Sequence, residues 1–217
     1  THRSALGTGG IAGGLGTSTL AVVQNEGRIS GYEGTGGIVG STVISKSDGS
    51  YNDLIITSAH NYGAILGTDN SGGIAGEAQA MMTDCYNEGS VEATGDFAGG
   101  LAGYTPTVVI NNSYNNGAVD ANKFAGGLLA RAAYYIVTNS SNLGPVTASH
   151  GMAAGILTLG GTTGMINFCT NYASVRGAVY VAGIIAHSGE TKSFTKRDFA
   201  SIVVSTGKGT FKLMKAL

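Results

Sequence analysis

The chain has 217 residues, of which 37 are Gly and two are Pro; Trp is absent and 12% of the residues are charged. Gly at more than twice its usual share, with no Gly-X-Y period and almost no Pro, excludes collagen, and 42% hydrophobic residues exclude a disordered tail. A formal net charge of −1 gives no basic excess to recommend nucleic acid as a partner, and none is expected.

In chain order, the first feature is a repeat. A Gly followed by an aliphatic residue recurs at Gly10-Ile11, Gly37-Ile38, Gly73-Ile74, Gly100-Leu101, Gly127-Leu128, Gly155-Ile156 and Gly183-Ile184, in steps of 27, 36, 27, 27, 28 and 28 residues. A second anchor, Asn-x-Gly-x-(Val/Ile), runs in phase with it: Asn25/Gly27/Ile29, Asn61/Gly63/Ile65, Asn87/Gly89/Val91 and Asn115/Gly117/Val119. Weaker copies follow at Asn142/Gly144/Val146 and Asn171/Ala173/Val175. The one long step holds Ser45-Lys46-Ser47-Asp48-Gly49-Ser50, which predicts a loop insertion near 41–53.

Between anchors lie short β-branched runs such as Leu54-Ile55-Ile56, Val108-Val109-Ile110 and Tyr135-Ile136-Val137, bounded by Gly, Asn, Ser or Thr. That is strand-and-turn punctuation, and no window carries a helical period. A unit of ~27 residues, at ~3.3 Å each, suits one coil of three short strands. The prediction is an all-β, right-handed parallel β-helix (a β-solenoid) of about seven coils over residues 1–187.

Stacking at ~4.8 Å then turns each anchor into a ladder. Two aliphatic ladders, Ile11/Ile38/Ile74/Leu101/Leu128/Ile156/Ile184 and Ile29/Ile65/Val91/Val119/Val146/Val175, are expected to point inward and fill the core. A small-residue column, Val23, Ala59, Cys85, Ser113, Ser140 and Cys169, is expected beside them. Asn25, Asn61, Asn87, Asn115, Asn142 and Asn171 are expected to form a side-chain amide ladder. The glycines are expected at corners with φ > 0 and where backbones pass closely.

Gly-Gly-Ile-Val-Gly (36–40), Gly-Gly-Leu-Ala-Gly (99–103), Asp-Cys-Tyr-Asn-Glu-Gly-Ser-Val (84–91) and Asn-Ser-Tyr-Asn-Asn-Gly-Ala-Val (112–119) resemble GLUG-motif repeats. The resemblance covers about residues 7–187 and implies a secreted or surface-attached bacterial repeat protein. It further implies an adhesin-like segment, or a segment beside the peptidase part of an immunoglobulin A-cleaving metallopeptidase.

Residues 188–217 break the period, carry six of the twelve Lys and Arg, and are expected to be a C-terminal cap with a β-hairpin. No apolar run approaches the ~20 residues of a membrane helix, so a membrane-spanning chain is not expected.

Chemistry is sparse. His2, His60, His150 and His187 are scattered without zinc-ligand spacing, so no metal and no cofactor is expected. The Gly-rich runs Gly7-Thr8-Gly9-Gly10 and Gly34-Thr35-Gly36-Gly37 lie in the repeat frame and end in no Gly-Lys-Ser/Thr, so they read as turns and not as phosphate cradles. Cys85 and Cys169 fall in one column three coils apart, ~14 Å, too far for a disulfide. Glu92 and Asp120, one coil apart, are the carboxylates a polysaccharide lyase or hydrolase would use. Tyr86 and Tyr114, with His60 below them, form the better candidate, a recognition stripe for a host protein or glycan. The sequence therefore points to a non-enzymatic adhesin-like or spacer module of a longer protein, with a carbohydrate-active β-helix enzyme as the alternative.

Overall fold

The computed structural model describes residues 7–42, 54–188, 204–206 and 209–211. The repeat residues form a β-solenoid of stacked parallel strands. The first wall has seven strands: Thr8–Gly9, Glu33–Gly36, Asp69–Gly72, Phe97–Gly99, Phe124–Gly126, Met152–Ala154 and Val181–Ala182. These seven levels enclose six complete turns. The third wall has six strands, from Ile29–Ser30 through Val91–Ala93 and Val119–Ala121 to Val175–Arg176.

The second wall is longer. In the middle coils it is one strand of ten residues, Ala102–Asn111 or Leu129–Thr138, followed by a bend and a two-residue strand, Tyr114–Asn115 or Ser141–Asn142. Pairing runs in register from coil to coil, with Val91 opposite Ile65 and Val119, and Asn87 opposite Asn61 and Asn115.

Both anchor ladders are buried, but they do not share one core. Ile38, Ile74, Leu101, Leu128 and Ile156 pack with the inward side of the second wall, including Leu54, Ile56, Val108, Ile110 and Leu157. Ile65, Val91, Val119 and Val146 pack instead against Ala98, Ala125 and Ala153 of the first wall. The expectation of a single core is thus corrected: the first wall backs directly onto the start of the second, and separate clusters fill the space on either side. That approach needs glycine, since a Cβ on Gly99 would sit 1.9 Å from the carbonyl oxygen of Ala102. Ile11 does not point into a filled core either. It lies in the first coil of the described residues and is 47% exposed.

The asparagines form a continuous buried chain. Asn25 Nδ2 donates to Asn61 Oδ1 at 2.8 Å, Asn61 to Asn87 at 2.7 Å, Asn87 to Asn115 at 2.7 Å, Asn115 to Asn142 at 2.8 Å and Asn142 to Asn171 at 2.8 Å. The second N–H of each amide closes the turn in its own coil, donating to the carbonyl of Gly27, Gly63, Gly89, Gly117, Gly144 or Ala173. At Asn61, Asn87, Asn115 and Asn142 every side-chain polar group is therefore matched, as burial requires.

The two sequence anchors touch each other here. A Cβ on Gly37, Gly73, Gly100, Gly127 or Gly155 would overlap the amide of Asn61, Asn87, Asn115, Asn142 or Asn171, at 2.3–2.7 Å. Room for the ladder, not φ, is what these glycines supply.

Positive φ occurs elsewhere. Among the described residues only one glycine, Gly34, adopts it (φ 61°). The bend in the second wall uses Val22, Ser58, Asp84, Asn112, Asn139 and Phe168, with φ from 48° to 54°. The next residue in each coil is the small-residue column, whose side chains repair the interrupted ladder. Cys85 N donates to Ser113 Oγ at 3.0 Å, and Ser113 N donates to Ser140 Oγ at 3.1 Å.

The insertion loop predicted near 41–53 lies largely outside the described residues, as does most of 188–217. In the latter, Val204–Thr206 pairs antiparallel with Gly209–Phe211. Among the described residues no helix is long and apolar enough to cross a membrane.

Two substitutions separate these roles. Gly100→Ala forces a Cβ to 2.0 Å from the Gly127 carbonyl oxygen and is expected to lower stability by more than about 2 kcal/mol in denaturant melts. Gly183→Ala, with no atom of the described residues within 4 Å of the added carbon, is expected to stay within about 0.5 kcal/mol of the parent. Phe168 is 68% exposed and left-handed, so Phe168→Asn, the residue that Asn112 and Asn139 supply at the same bend, is expected to stabilise by about 1 kcal/mol.

Candidate functional site

Asn in the ladder and a bend three residues before it leave the intervening residue facing outward, and this is where the aromatic column forms. Register places Gln24, His60, Tyr86, Tyr114, Ser141 and Thr170 in one row. The Tyr86 and Tyr114 rings stack at 4.3 Å between centroids with 21° between planes, and His60 lies tilted on Tyr86 at 4.7 Å. Tyr62 meets His60 edge-on at 6.2 Å. The structure thus brings His60, Tyr86 and Tyr114 together. They are half-buried and not freely exposed, because each covers a face of its neighbour.

The rim of the column is polar and held across coils. Tyr114 donates its hydroxyl to Glu88 Oε1 at 2.9 Å, and Asn116 Nδ2 donates to Glu88 Oε2 at 2.9 Å, so one carboxylate bridges two residues of the coil above. Burial pushes the Tyr114 phenol up to about 12, with the accepting Glu88 carboxylate and its charge adding to the shift. The Tyr86 phenol is raised as well, by burial first and the Asp84 charge second. Both rings therefore present neutral hydroxyls throughout the physiological range.

Glu92 and Asp120 are direct neighbours on the third wall, paired in register and both exposed. They stand side by side on one outward face. Among the described residues no group of three or more His, Cys, Asp or Glu is arranged to hold a metal ion.

Two outward surfaces were not singled out from the sequence. At the mouth between the first and second walls, Phe97 and Phe124 stack at 4.9 Å and the Arg131 guanidinium lies 5.8 Å from the Phe97 centroid and 5.2 Å from that of Tyr104. Beside it, Lys123 Nζ pairs with Asp96 at 2.7 Å. The signal was legible as Phe-Ala-Gly-Gly repeating at 97–100 and 124–127. On the second wall, Ile55, Met81, Val109, Ile136 and Met165 form an outward aliphatic row. Alternation along the strand carried that signal, since Leu54 and Ile56 point inward on either side of Ile55.

No family model and no curated protein matches the chain. Among solved structures it is similar to the crystal structure of a "putative immunoglobulin A1 protease" from Bacteroides ovatus, with a TM-score of 0.65 and 20% identity. The likeness is one of fold. The match covers 83% of this chain and 66% of that one, so the chain spans just under two thirds of its neighbour's length.

The two cysteines are free and buried. Cys85 Sγ contacts the carbonyls of Ile56 and Thr83, and Cys169 Sγ those of Val137 and Asn167. Burial raises both thiols from 9.0 to about 11. The unfolded chain releases these protons first as pH rises, so the thiols' contribution is intact below pH 9 and is lost between pH 9 and 11. The expected loss across that window is on the order of 2–3 kcal/mol per thiol. Melts as a function of pH check this: a Cys85→Ala, Cys169→Ala chain, matching the Ala59 found in the same column, is expected to show a shallower decline over that window than the parent.

Proposed function

We propose that this chain is a non-catalytic, adhesin-like segment of a secreted or cell-surface bacterial protein, presenting a lateral surface to a host protein or glycan. The observation that carries the reading is the His60–Tyr86–Tyr114 column, in which stacking and the Glu88 bridge hold three rings and a polar rim in one conformation before any partner arrives. Such rigid amphipathic rings give contact area at small entropic cost. The resemblance to GLUG repeats supports the surface location, and the neighbour's name supplies one partner to try, immunoglobulin A1. The alternative, a carbohydrate-active enzyme, draws on the side-by-side carboxylates of Glu92 and Asp120.

A glycan array and immobilised immunoglobulin A1 test the reading together. Binding is expected to fall at least tenfold in Tyr86→Ala, Tyr114→Ala and to persist in Glu92→Gln, Asp120→Asn, with the ligand recovered intact. Reducing ends released by the parent chain and lost in the Glu92→Gln, Asp120→Asn chain would replace this reading with the enzymatic one.

A further inference from the structure

The mouth between the first and second walls holds a cation that the rest of the coil leaves unused. Arg131 lies near the start of the second wall, exposed, and register sets it above Tyr104 and below Leu159. Its guanidinium is 5.2 Å from the Tyr104 centroid and 5.8 Å from that of Phe97, and Phe97 stacks with Phe124 at 4.9 Å. The rings hold a long side chain in place, so a ligand that meets it orders little.

Among the described residues that guanidinium makes no hydrogen bond and no ion pair. The other charges of the middle coils are engaged. Lys123 Nζ pairs with Asp96 at 2.7 Å, Asp69 Oδ1 accepts from the Asp96 backbone N–H at 2.6 Å, and Glu77 Oε2 accepts from Asn70 Nδ2 at 3.3 Å. Glu77 lies one coil below Tyr104, two below Arg131. In the coil above, the mouth is uncharged, with Met152 over Phe124 and Leu159 over Arg131.

Strand addition is closed to a partner here. Phe97–Gly99 and Phe124–Gly126 each pair with a coil on either side, as do Ala102–Asn111 and Leu129–Thr138. No backbone edge is left to recruit a peptide as an extra strand. An occupant of the mouth is recognised by side chains: a planar anion for the guanidinium fork and an apolar face for the rings.

We infer that this mouth is a second binding site, for a sugar ring that bears a carboxylate. The Arg131 fork donates two N–H groups to the carboxylate, and the C–H face of the same ring packs on Phe97 and Phe124, both half-buried. An acidic peptide offers the carboxylate but brings backbone amides that these saturated strands cannot pair, and no flat face for the rings. The site stands at the opposite end of the second wall from the His60–Tyr86–Tyr114 column, so the inference goes beyond that column and does not rest on it.

Calorimetric titration with tetragalacturonate, its methyl ester, sialyllactose and a hexaglutamate peptide tests the assignment. The parent is expected to bind tetragalacturonate or sialyllactose, which tells a uronate from a sialate, and to bind the acid about tenfold or more tightly than the ester. Arg131→Ala is expected to weaken acidic-sugar binding about tenfold or more, and Arg131→Lys, which keeps the charge and loses the fork, about threefold or more. The position is exposed, so melts of both variants are expected to match the parent. The Tyr86→Ala, Tyr114→Ala chain is expected to keep acidic-sugar affinity within about twofold while losing the binding assigned to the column, so the two readings fail separately. Failure to bind either acidic sugar, equal binding of the methyl ester, or parent-like affinity in both Arg131 variants would overturn the proposal. Hexaglutamate bound more tightly than either sugar, and lost in Arg131→Ala, would overturn it too, by making an acidic peptide the occupant.

Discussion

The structure depends on a chain of buried amides leaning against a column of glycines. Each Asn side chain bonds upward to the next coil and sideways to its own turn, so one residue type sets both the stacking and the corner. The arrangement works only because the facing residue has no Cβ. The satisfied amides turn a buried polar group, ordinarily a liability, into an axial tie, and the low-dielectric interior strengthens it. Burial of Asn61, Asn87, Asn115 and Asn142 to 0% exposure shows how little water competes.

Around that seam the coil solves a second problem. The first wall folds back onto the second, and two narrow clusters form on its two sides. The long second wall must then bend before the Asn turn. It does so at a left-handed residue, which Asp84, Asn112 and Asn139 tolerate and which Val22 and Phe168 adopt at some strain. The serine and cysteine column beside the bend restores hydrogen bonds that the bend removes. The same bend turns Tyr86 and Tyr114 outward one residue before the ladder, so the aromatic column is a by-product of how the corner is made.

Function enters through surface repetition. A solenoid displays equivalent positions ~4.8 Å apart, close to the spacing at which aromatic rings stack, and the Tyr86–Tyr114 pair falls into it without adjustment. The same register makes Glu92 and Asp120 neighbours on the third wall.

Periodicity alone determined the parallel stack, the two aliphatic ladders, the amide ladder, the column of Tyr86 and Tyr114 and the separation of Cys85 from Cys169, because identical spacing in a stack means adjacency. What no spacing could reveal was which way the wall folds within one coil. That the core is double, that Gly100 faces Asn115 while Asp84 and not a glycine takes the left-handed bend, and that Arg131 meets both Phe97 and Tyr104 are features decided across the coil between residues of different phase. A repeat specifies what lies above and below each residue; packing across the section, where unlike side chains and backbones compete for the same volume, is decided only when the coil closes.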